Sequence, residues 1–436
     1  MEFFDFLDNS VTPAHTVAGL VSAFRAAGFR LYEPMIPARI EPGKGYCVVR
    51  GSSVIAVRVP RSIAQFPGFR IALAHTDFPT LKITPHPDRV SGGVQTLHPE
   101  IYGSPIFTSW LDRDLGYAGV LAYAEGGDVQ LKTFRGDKLF RIPQLAVHLN
   151  RGVNQDGLRV NPQTDLDALW SGVTGEKFEE TLQRELPEGA KLLDFDVQLF
   201  DAQKAARGGI HDEWIYSGRL DNLSSCHAIA EAFIAAEPLE NDFAVACFFN
   251  NEEVGSTTRE GAGGNFLKSV LDSIVSSGYS RMTCHPGAEG DRVHETVAVP
   301  NIDALLASSS LALSIDMAHA VHPNYPQKHE QNHAPILGGG IVLKTNSQKR
   351  YASDVYSNAR LKLLCEQANI NCQTFVMRND MPCGSTVGPT VSASLGIPTV
   401  DIGEPMLSMH SIREMTAARD HADMISLLKV FYQDNA

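Results

Sequence analysis

Three short apolar runs in this sequence stop abruptly at polar residues, and this pattern constrains the fold more than any other feature. The runs are FRIALA before His75, FAVACFF before Asn250 and LALSI before Asp316. Predominantly apolar runs of this length are typical of strands buried on both faces of a parallel sheet. Stretches with helical periodicity, such as 223–236 and 354–368, alternate with them. The alternation predicts an α/β fold whose mostly parallel sheet is covered by helices.

The segment from 84 to 207 has a different character. It is rich in Pro, Gly and Asp, and it contains alternating stretches such as VQLKTF at 129–134. We interpret it as a β-rich insertion with one or two short helices, near 165–170 and 176–186. The predicted domains are therefore a discontinuous α/β domain of residues 1–83 and 208–436 and an inserted domain of residues 84–207.

The composition excludes several classes of function. The chain has 436 residues, with 37 Lys and Arg against 50 Asp and Glu, which argues against a nucleic-acid-binding surface. No stretch approaches the roughly 18 apolar residues of a membrane helix, so we expect no membrane partner. The start, MEFFDFLDNS, lacks the basic region of a secretory signal, and the seven cysteines are scattered. Both features favour a cytoplasmic protein with reduced thiols.

Histidines and carboxylates follow the predicted strands or begin the helices between them. They are His75, Asp77, Asp221, Glu252, Glu253, Asp316 and His410. Open α/β sheets bind their ligands at the carboxyl ends of the strands, so we expect these side chains to converge. Two histidines and several carboxylates, with no cysteine, suit Zn²⁺, Co²⁺ or Mn²⁺. Two divalent ions about 3.5–4 Å apart, with one bridging carboxylate, would balance the charge.

The adjacent pair Glu252 and Glu253 is the sharpest indication of catalysis. A dinuclear hydrolase needs one carboxylate on a metal and another that can accept a proton from the attacking water. Asp77, two residues after His75, could accept a hydrogen bond from the second imidazole nitrogen. Taken alone, each motif has an ordinary structural explanation: Asp221 could cap a helix and His410 could lie in a surface loop.

A second metal motif competes with this set. His329 and His333 belong to an HExxH sequence, which binds zinc when it lies on a helix. Pro323, Pro326 and Pro335 surround the motif and prevent a long helix. We therefore predict a loop at this position.

The sequence resembles the aspartyl aminopeptidase family of dinuclear metal aminopeptidases, in a bacterial form. The matching segments are AHTDFP, WLDRDL, RIPQLAVHLN, SGRLDNL, NNEEVGS, SIDMAHA, RNDMPCGSTVGP and MHSIREM. They occur in order over nearly the whole chain. One departure is Phe78, where the family more often has a small polar residue, next to the expected metal ligands.

The resemblance implies a role for each residue. His75 and Asp316 would bind one metal, Glu253 and His410 would bind the other, and Asp221 would bridge them. Glu252 would be the general acid and base, supported by Asp77 beside His75. The resemblance also implies two divalent ions per chain. Zinc is the expected metal, and Co²⁺ and Mn²⁺ are the alternatives.

The resemblance further implies that the insertion mediates dimerisation and that the dimers form a tetrahedral dodecamer. The segment RIPQLAVHLN would reach a neighbouring active site, which makes His148 a candidate for substrate contact and catalysis. The residues alone favour a different interpretation, a buried structural histidine in the apolar stretch LAVHL.

The predicted activity is removal of the N-terminal residue from peptides, with a preference for Asp or Glu implied by the resemblance. Lys344, in IVLKTN, is the candidate for binding an acidic side chain. Two alternatives stay open: a related dinuclear carboxypeptidase or deacylase, and a non-catalytic scaffold with the same fold. The presence of Glu252 and of all five ligands argues against the scaffold.

Overall fold

The computed structural model describes residues 1–33, 40–62, 67–279, 284–286, 292–294 and 302–434. Its helices are α1 (Phe3–Asn9), α2 (Pro13–Ala26), α3 (Val153–Asp156), α4 (Phe178–Gln183), α5 (Leu220–Ala235), α6 (Phe266–Tyr279), α7 (Ile302–Ser309), α8 (Val355–Ala368), α9 (Val387–Leu395) and α10 (Ala418–Phe431). Its strands are β1 (Arg30–Leu31), β2 (Gly45–Arg50), β3 (Ser53–Arg58), β4 (Phe69–His75), β5 (Thr80–Ser91), β6 (Val94–Tyr102), β7 (Leu115–Glu125), β8 (Asp128–Arg135), β9 (Ala168–Ser171), β10 (Lys191–Asp201), β11 (Ala206–Gly208), β12 (Trp214–Ser217), β13 (Phe243–Phe249), β14 (Cys284–Pro286), β15 (Arg292–His294), β16 (Leu311–Ile315), β17 (Ala318–His319), β18 (Ile341–Thr345), β19 (Cys372–Val376), β20 (Thr399–Gly403), β21 (Pro405–Leu407) and β22 (Glu414–Ala417).

The largest sheet within the described residues has nine strands in the order β1-β2-β3-β13-β4-β16-β20-β18-β19. Its central strands β13, β4, β16 and β20 run parallel to one another. Every residue of β4, β13 and β16 is buried, as expected for apolar strands covered on both faces. The prediction of a mostly parallel sheet is confirmed, and the carboxyl ends of these strands meet at one edge.

Helices cover both faces of this sheet. Successive residues of β4 point to opposite sides, so Ala72 and Ala74 pack into one apolar core while Ile71 and Leu73 pack into the other. The first core includes side chains of α2, α5 and α10, and the second includes side chains of α6 and α9. The sheet is therefore held rigidly between two helical layers.

A separate antiparallel sheet has six strands, in the order β8-β7-β10-β5-β6-β9. It has its own apolar core, which includes Leu97, Tyr117 and Phe178. Its strand β5 spans Thr80–Ser91 and so crosses the predicted boundary at residue 84. The domain boundaries stay a prediction.

One helix predicted in this region is wrong and one is confirmed. Residues 165–170 were expected to be helical, but Ala168–Ser171 forms strand β9, which pairs with β6. The buried side chain of Ala168 joins the core of the six-stranded sheet, and this tertiary packing overrides the local helical pattern. The second helix is present as α4, within the predicted 176–186.

A small five-stranded sheet, β11-β12-β22-β21-β17, was not anticipated from the sequence. It matters because the turn between β21 and β22 contains His410. His410 has a φ of 67°, in the left-handed region, and its backbone N–H donates to Oε1 of Glu414 at 2.8 Å. The sheet thereby brings a histidine from late in the chain to the edge of the central sheet.

Candidate metal centre

The predicted ligands come from different elements and converge at the carboxyl edge of the central sheet. His75 ends β4, Asp316 follows β16, and Glu253 lies in a 3-10 turn just after β13. Asp221 lies at the start of α5, and His410 arrives from the turn between β21 and β22. Rigid strands and their immediate successors therefore supply most of the cluster.

The carboxylate of Asp221 lies between two pairs of side chains. Its Oδ1 lies 3.5 Å from Nε2 of His75, and that nitrogen lies 3.6 Å from Oδ1 of Asp316. Its Oδ2 lies 3.4 Å from Nε2 of His410, and that nitrogen lies 3.6 Å from Oε2 of Glu253. Asp221 is thus shared between a His75–Asp316 side and a His410–Glu253 side.

The distances between these side chains suit ligands of a shared metal ion better than direct hydrogen bonds. Ligand atoms bonded to one tetrahedral ion at about 2.0–2.2 Å lie about 3.3–3.6 Å apart, as the nitrogen and oxygen atoms do here. Oδ1 of Asp221 is buried and makes no hydrogen bond within the part of the chain that the structure describes. Ligand atoms of His75, Asp221 and Glu253 lie within 4.8 Å of one another. An unpartnered carboxylate oxygen in such a cluster is suited to a cation.

The electrostatics of this ligand cluster also favour a bound cation. Burial opposes protonation of His75 and His410, but the neighbouring carboxylates outweigh it. They raise the pKa of His75 well above its usual value, and they raise the pKa of His410 to about 10. Burial also disfavours the charged form of Asp221, yet the two histidines hold its pKa far below the usual range. Divalent ions can neutralise the same carboxylates.

Glu252 lies beside the cluster rather than in it. Its side chain lines a cavity of about 420 Å³ that His75, Asp316 and His410 also line. Burial, together with the nearby carboxylates of Asp316, Asp77 and Asp221, raises the pKa of Glu252 to about 8. A carboxylate with a pKa near neutrality can both accept and return a proton.

Asp77 contacts its neighbours differently from the sequence-based prediction. Nδ1 of His75 lies 3.0 Å from the backbone oxygen of Asp77 and 3.5 Å from its carboxylate. The carboxylate instead accepts hydrogen bonds from the backbone N–H groups of Glu252 and Glu253, each at 3.1 Å. The side chain of Asp77 therefore orders the turn that carries the two glutamates, while its backbone fixes the imidazole.

Two further residues hold this arrangement and were not predicted from the sequence. Glu414 is buried and accepts hydrogen bonds from the backbone N–H groups of Asp221, at 3.1 Å, and His410, at 2.8 Å. Tyr102 donates from its hydroxyl to Oδ2 of Asp77 at 2.7 Å. The position of Glu414 four residues after His410, in MHSIREM, was a usable signal, whereas nothing in the sequence around Tyr102 connects it to the site.

Three further predicted residues lie in different surroundings. Lys344 lines the catalytic cavity, donates to the backbone oxygen of Met317 at 2.9 Å and lies 3.8 Å from Oδ2 of Asp316. Phe78 is buried and lines a small neighbouring cavity rather than the catalytic one. His148 lies in an exposed turn, so its interpretation as a buried strand residue is wrong.

The HExxH segment is a loop, as predicted. A short 3-10 turn ends at Lys328, just before the motif. Nε2 of His329 accepts a hydrogen bond from the backbone N–H of His322 at 3.2 Å, while Nδ1 of His333 lies 2.5 Å from Oε2 of Glu330. The two histidines therefore have separate partners and do not share a helical face.

A carboxylate-centred ligand cluster at the strand ends of an α/β sheet, with a further glutamate beside it, defines a metal-dependent hydrolase. The sequence model of the aminopeptidase I zinc metalloprotease (M18) family matches residues 6–432. The chain therefore belongs to the M18 family, and it is a metalloaminopeptidase.

Curated relatives and solved structures agree with this assignment. A probable M18 family aminopeptidase 2 of Pseudomonas aeruginosa is 39% identical over 98% of this chain and 96% of its own length. Its namesake in Azotobacter vinelandii is 37% identical over the same shares. The structure is similar to Ape4 in its complex with Nbr1, with a TM-score of 0.89 and 33% identity, over 99% of this chain and 84% of the other. A Thermotoga maritima M18 aminopeptidase, 20% identical over 99% and 95% of the two chains, has the same fold with a TM-score of 0.81.

Proposed function

We propose that this protein is a dinuclear zinc aminopeptidase that releases acidic N-terminal residues from peptides. The observation that carries the proposal is the position of Asp221, whose two carboxylate oxygens face two separate histidine–carboxylate pairs. One ion would be held by His75 and Asp316, the other by His410 and Glu253, with Asp221 shared. Bound there, the ions would polarise the scissile carbonyl and lower the pKa of the attacking water.

Glu252 performs the proton transfers in this proposal. It lies in the same cavity as the ligands but makes none of their close contacts, so its carboxylate is free to act. It takes the proton from the attacking water and returns it to the departing amine. Asp77 keeps Glu252 in place by accepting a hydrogen bond from its backbone N–H.

An acidic substrate side chain requires a cation in the cavity. Among the described residues that line it, Lys344 is the one lysine or arginine. Its ammonium group is buried and lies 3.8 Å from Asp316, so it is close to the metal ligands. A carboxylate of the substrate would form an ion pair with Lys344. In a site of low dielectric constant, this pair would favour acidic over neutral substrate side chains.

The assembly proposed for this chain is a dodecamer in which His148 contacts the substrate of a neighbouring subunit. His148 lies in an exposed turn between Val147 and Leu149, which are 51% and 75% exposed, and close to Leu145, which is 62% exposed. A cluster of exposed apolar side chains is typical of an interaction surface. The Saccharomyces protein mApe1, 25% identical to this chain, forms a dodecamer.

The proposal is tested by hydrolysis of aminoacyl reporters with free or N-acetylated amino groups, after removal of metal and restoration of Zn²⁺, Co²⁺ or Mn²⁺. We expect cleavage of free-amine Asp and Glu reporters and no cleavage of the acetylated forms. Cleavage of the acetylated forms alone would support the deacylase alternative. No cleavage with any metal would support the scaffold.

The proposal makes no use of a membrane or a nucleic acid. None of the helices within the described ranges is both long and apolar enough to cross a membrane. The partners that we propose are peptide substrates and further copies of the chain. A cytoplasmic location remains part of the proposal.

A further inference from the structure

A hydroxyl group from the six-stranded sheet reaches the turn that carries the two glutamates. Tyr102 is the last residue of β6, and its hydroxyl donates to Oδ2 of Asp77 at 2.7 Å. The same hydroxyl oxygen accepts a hydrogen bond from Nδ2 of Asn251 at 3.0 Å. Tyr102 therefore joins the segment after β4 to the segment after β13.

Asp77 transmits this constraint to the catalytic turn. Its carboxylate is fully buried and accepts from the backbone N–H groups of Glu252 and Glu253 as well as from Tyr102. Hydrogen bonds to a buried carboxylate are strong because no water competes for it. Burial and the charge of Asp77 raise the pKa of Tyr102, so the phenol stays a donor. Removal of the hydroxyl leaves Asp77 with fewer donors to fix its orientation.

The turn includes two residues with left-handed backbone conformations. Asn251 and Ser256 have φ values of 65° and 62°, in a region that Asn tolerates better than most residues and that is costly for Ser. Residues persist there when the surrounding structure holds them. Asn251 is held by Tyr102 on one side and by Thr258, whose hydroxyl donates to its Oδ1 at 2.9 Å, on the other.

We propose that Tyr102 is a positioning residue for peptide hydrolysis, which acts through Asp77 and Asn251 to orient Glu252 in the catalytic cavity. Tyr102 does not line that cavity, so we assign it an action on the catalytic turn rather than on the substrate. The six-stranded sheet is then a component of its own chain's active site. The inference rests on the proposed role of Glu252.

The test is Tyr102→Phe in the full-length, zinc-loaded protein. We expect kcat to fall about 10- to 100-fold, the scale of a misplaced catalytic group, with KM within about twofold and zinc content unchanged. The matched control is Tyr117→Phe, because Tyr117 is buried in the same sheet and its hydroxyl makes no hydrogen bond to the residues that the structure describes. We expect this control to keep the wild-type kcat.

The route through Asp77 is tested by combining Tyr102→Phe with Asp77→Asn. Because Tyr102 acts through Asn251 as well as through Asp77, the tyrosine substitution should lower kcat by a clearly smaller factor in the Asp77→Asn background than in the wild type. If the two substitutions lower kcat in the double variant by the full product of their separate factors, Tyr102 does not act through Asp77. Wild-type kcat in Tyr102→Phe, or loss of zinc or folding in it, would overturn the positioning role. Failure of the wild-type enzyme to hydrolyse any reporter would instead count against the proposed function.

Discussion

Oδ1 of Asp221 lies 3.5 Å from Nε2 of His75. That separation is too long for a hydrogen bond and suits two ligands of one ion. The other oxygen of Asp221 has the same relationship to His410, at 3.4 Å. One buried carboxylate thus belongs to two ligand sets, and the proposed dinuclear centre depends on it.

The first prediction concerns this shared carboxylate. Asp221→Asn keeps the shape of the side chain but removes its charge, and an amide is a much weaker ligand for zinc. We expect the purified variant to contain less than about one zinc per chain, measured by elemental analysis after dialysis. Asp196→Asn, at an exposed position, is the matched control and should keep the wild-type content. Full zinc content in Asp221→Asn would show that Asp221 is not a bridging ligand.

Metal loading should release protons. In the metal-free protein the neighbouring carboxylates raise the pKa of His410 to about 10, so His410 is protonated at pH 7.5, and they also raise the pKa of His75. Zinc binds only the neutral imidazole, and we therefore expect release of at least about one proton per chain. Apparent affinity should rise with pH up to about 10 and fall as the pH is lowered. Calorimetry in buffers of different ionisation enthalpy measures the release, and a heat independent of buffer would contradict the prediction.

Substrate preference should depend on Lys344. In Lys344→Met we expect kcat/KM for Asp and Glu reporters to fall at least about tenfold, while that for Ala or Leu reporters changes little, because only the acidic side chain loses its partner. Zinc content is measured in parallel, since Lys344 lies close to Asp316. Lys328→Met, in the adjacent cavity, is the control and should leave the ratio unchanged. Equal losses for acidic and neutral reporters would exclude a role of Lys344 in selectivity.

Complementation between subunits should reveal the role of His148. We expect His148→Ala to lose activity while it keeps zinc and assembly, because the imidazole would reach a neighbouring site. Mixing it with Glu252→Gln should restore part of the activity, since some sites would combine an intact histidine with an intact glutamate. His86→Ala, at a 94% exposed position in β5, should stay active. Mixed oligomers that have exchanged subunits and remain inactive would rule out the cross-subunit role.

The sequence predicted the parts of the fold that depend on local pattern. The strands Phe243–Phe249 and Leu311–Ile315 have the predicted bounds, because a buried parallel strand is a predominantly apolar run. Helix α2 begins at Pro13, where Thr12 caps it by accepting from the backbone N–H of His15 at 3.3 Å.

The remainder depends on contacts between distant residues. The small sheet that carries His410 pairs β12 with β22, and the segments are about 200 residues apart in the chain. Tyr102 and Glu414 act through hydrogen bonds to Asp77 and Asp221, and neither partner is near in sequence. Periodicity and spacing carry no information about the contact between Tyr102 and Asp77, so Tyr102 emerges only from the folded structure. The position of Glu414 four residues after His410 was a signal in the sequence, but its contact with Asp221 was not.

Adjacent substitutions at Glu252 and Glu253 test the central claim most directly, because the account gives two neighbouring glutamates different roles. The measurement is zinc content and kcat for Glu252→Gln and Glu253→Gln, purified in parallel. We predict that Glu252→Gln keeps the wild-type zinc content while kcat falls at least about 100-fold, the scale of general acid–base catalysis. We predict that Glu253→Gln loses about one zinc per chain. Near-normal turnover in Glu252→Gln, or equal zinc loss in both variants, would contradict the account.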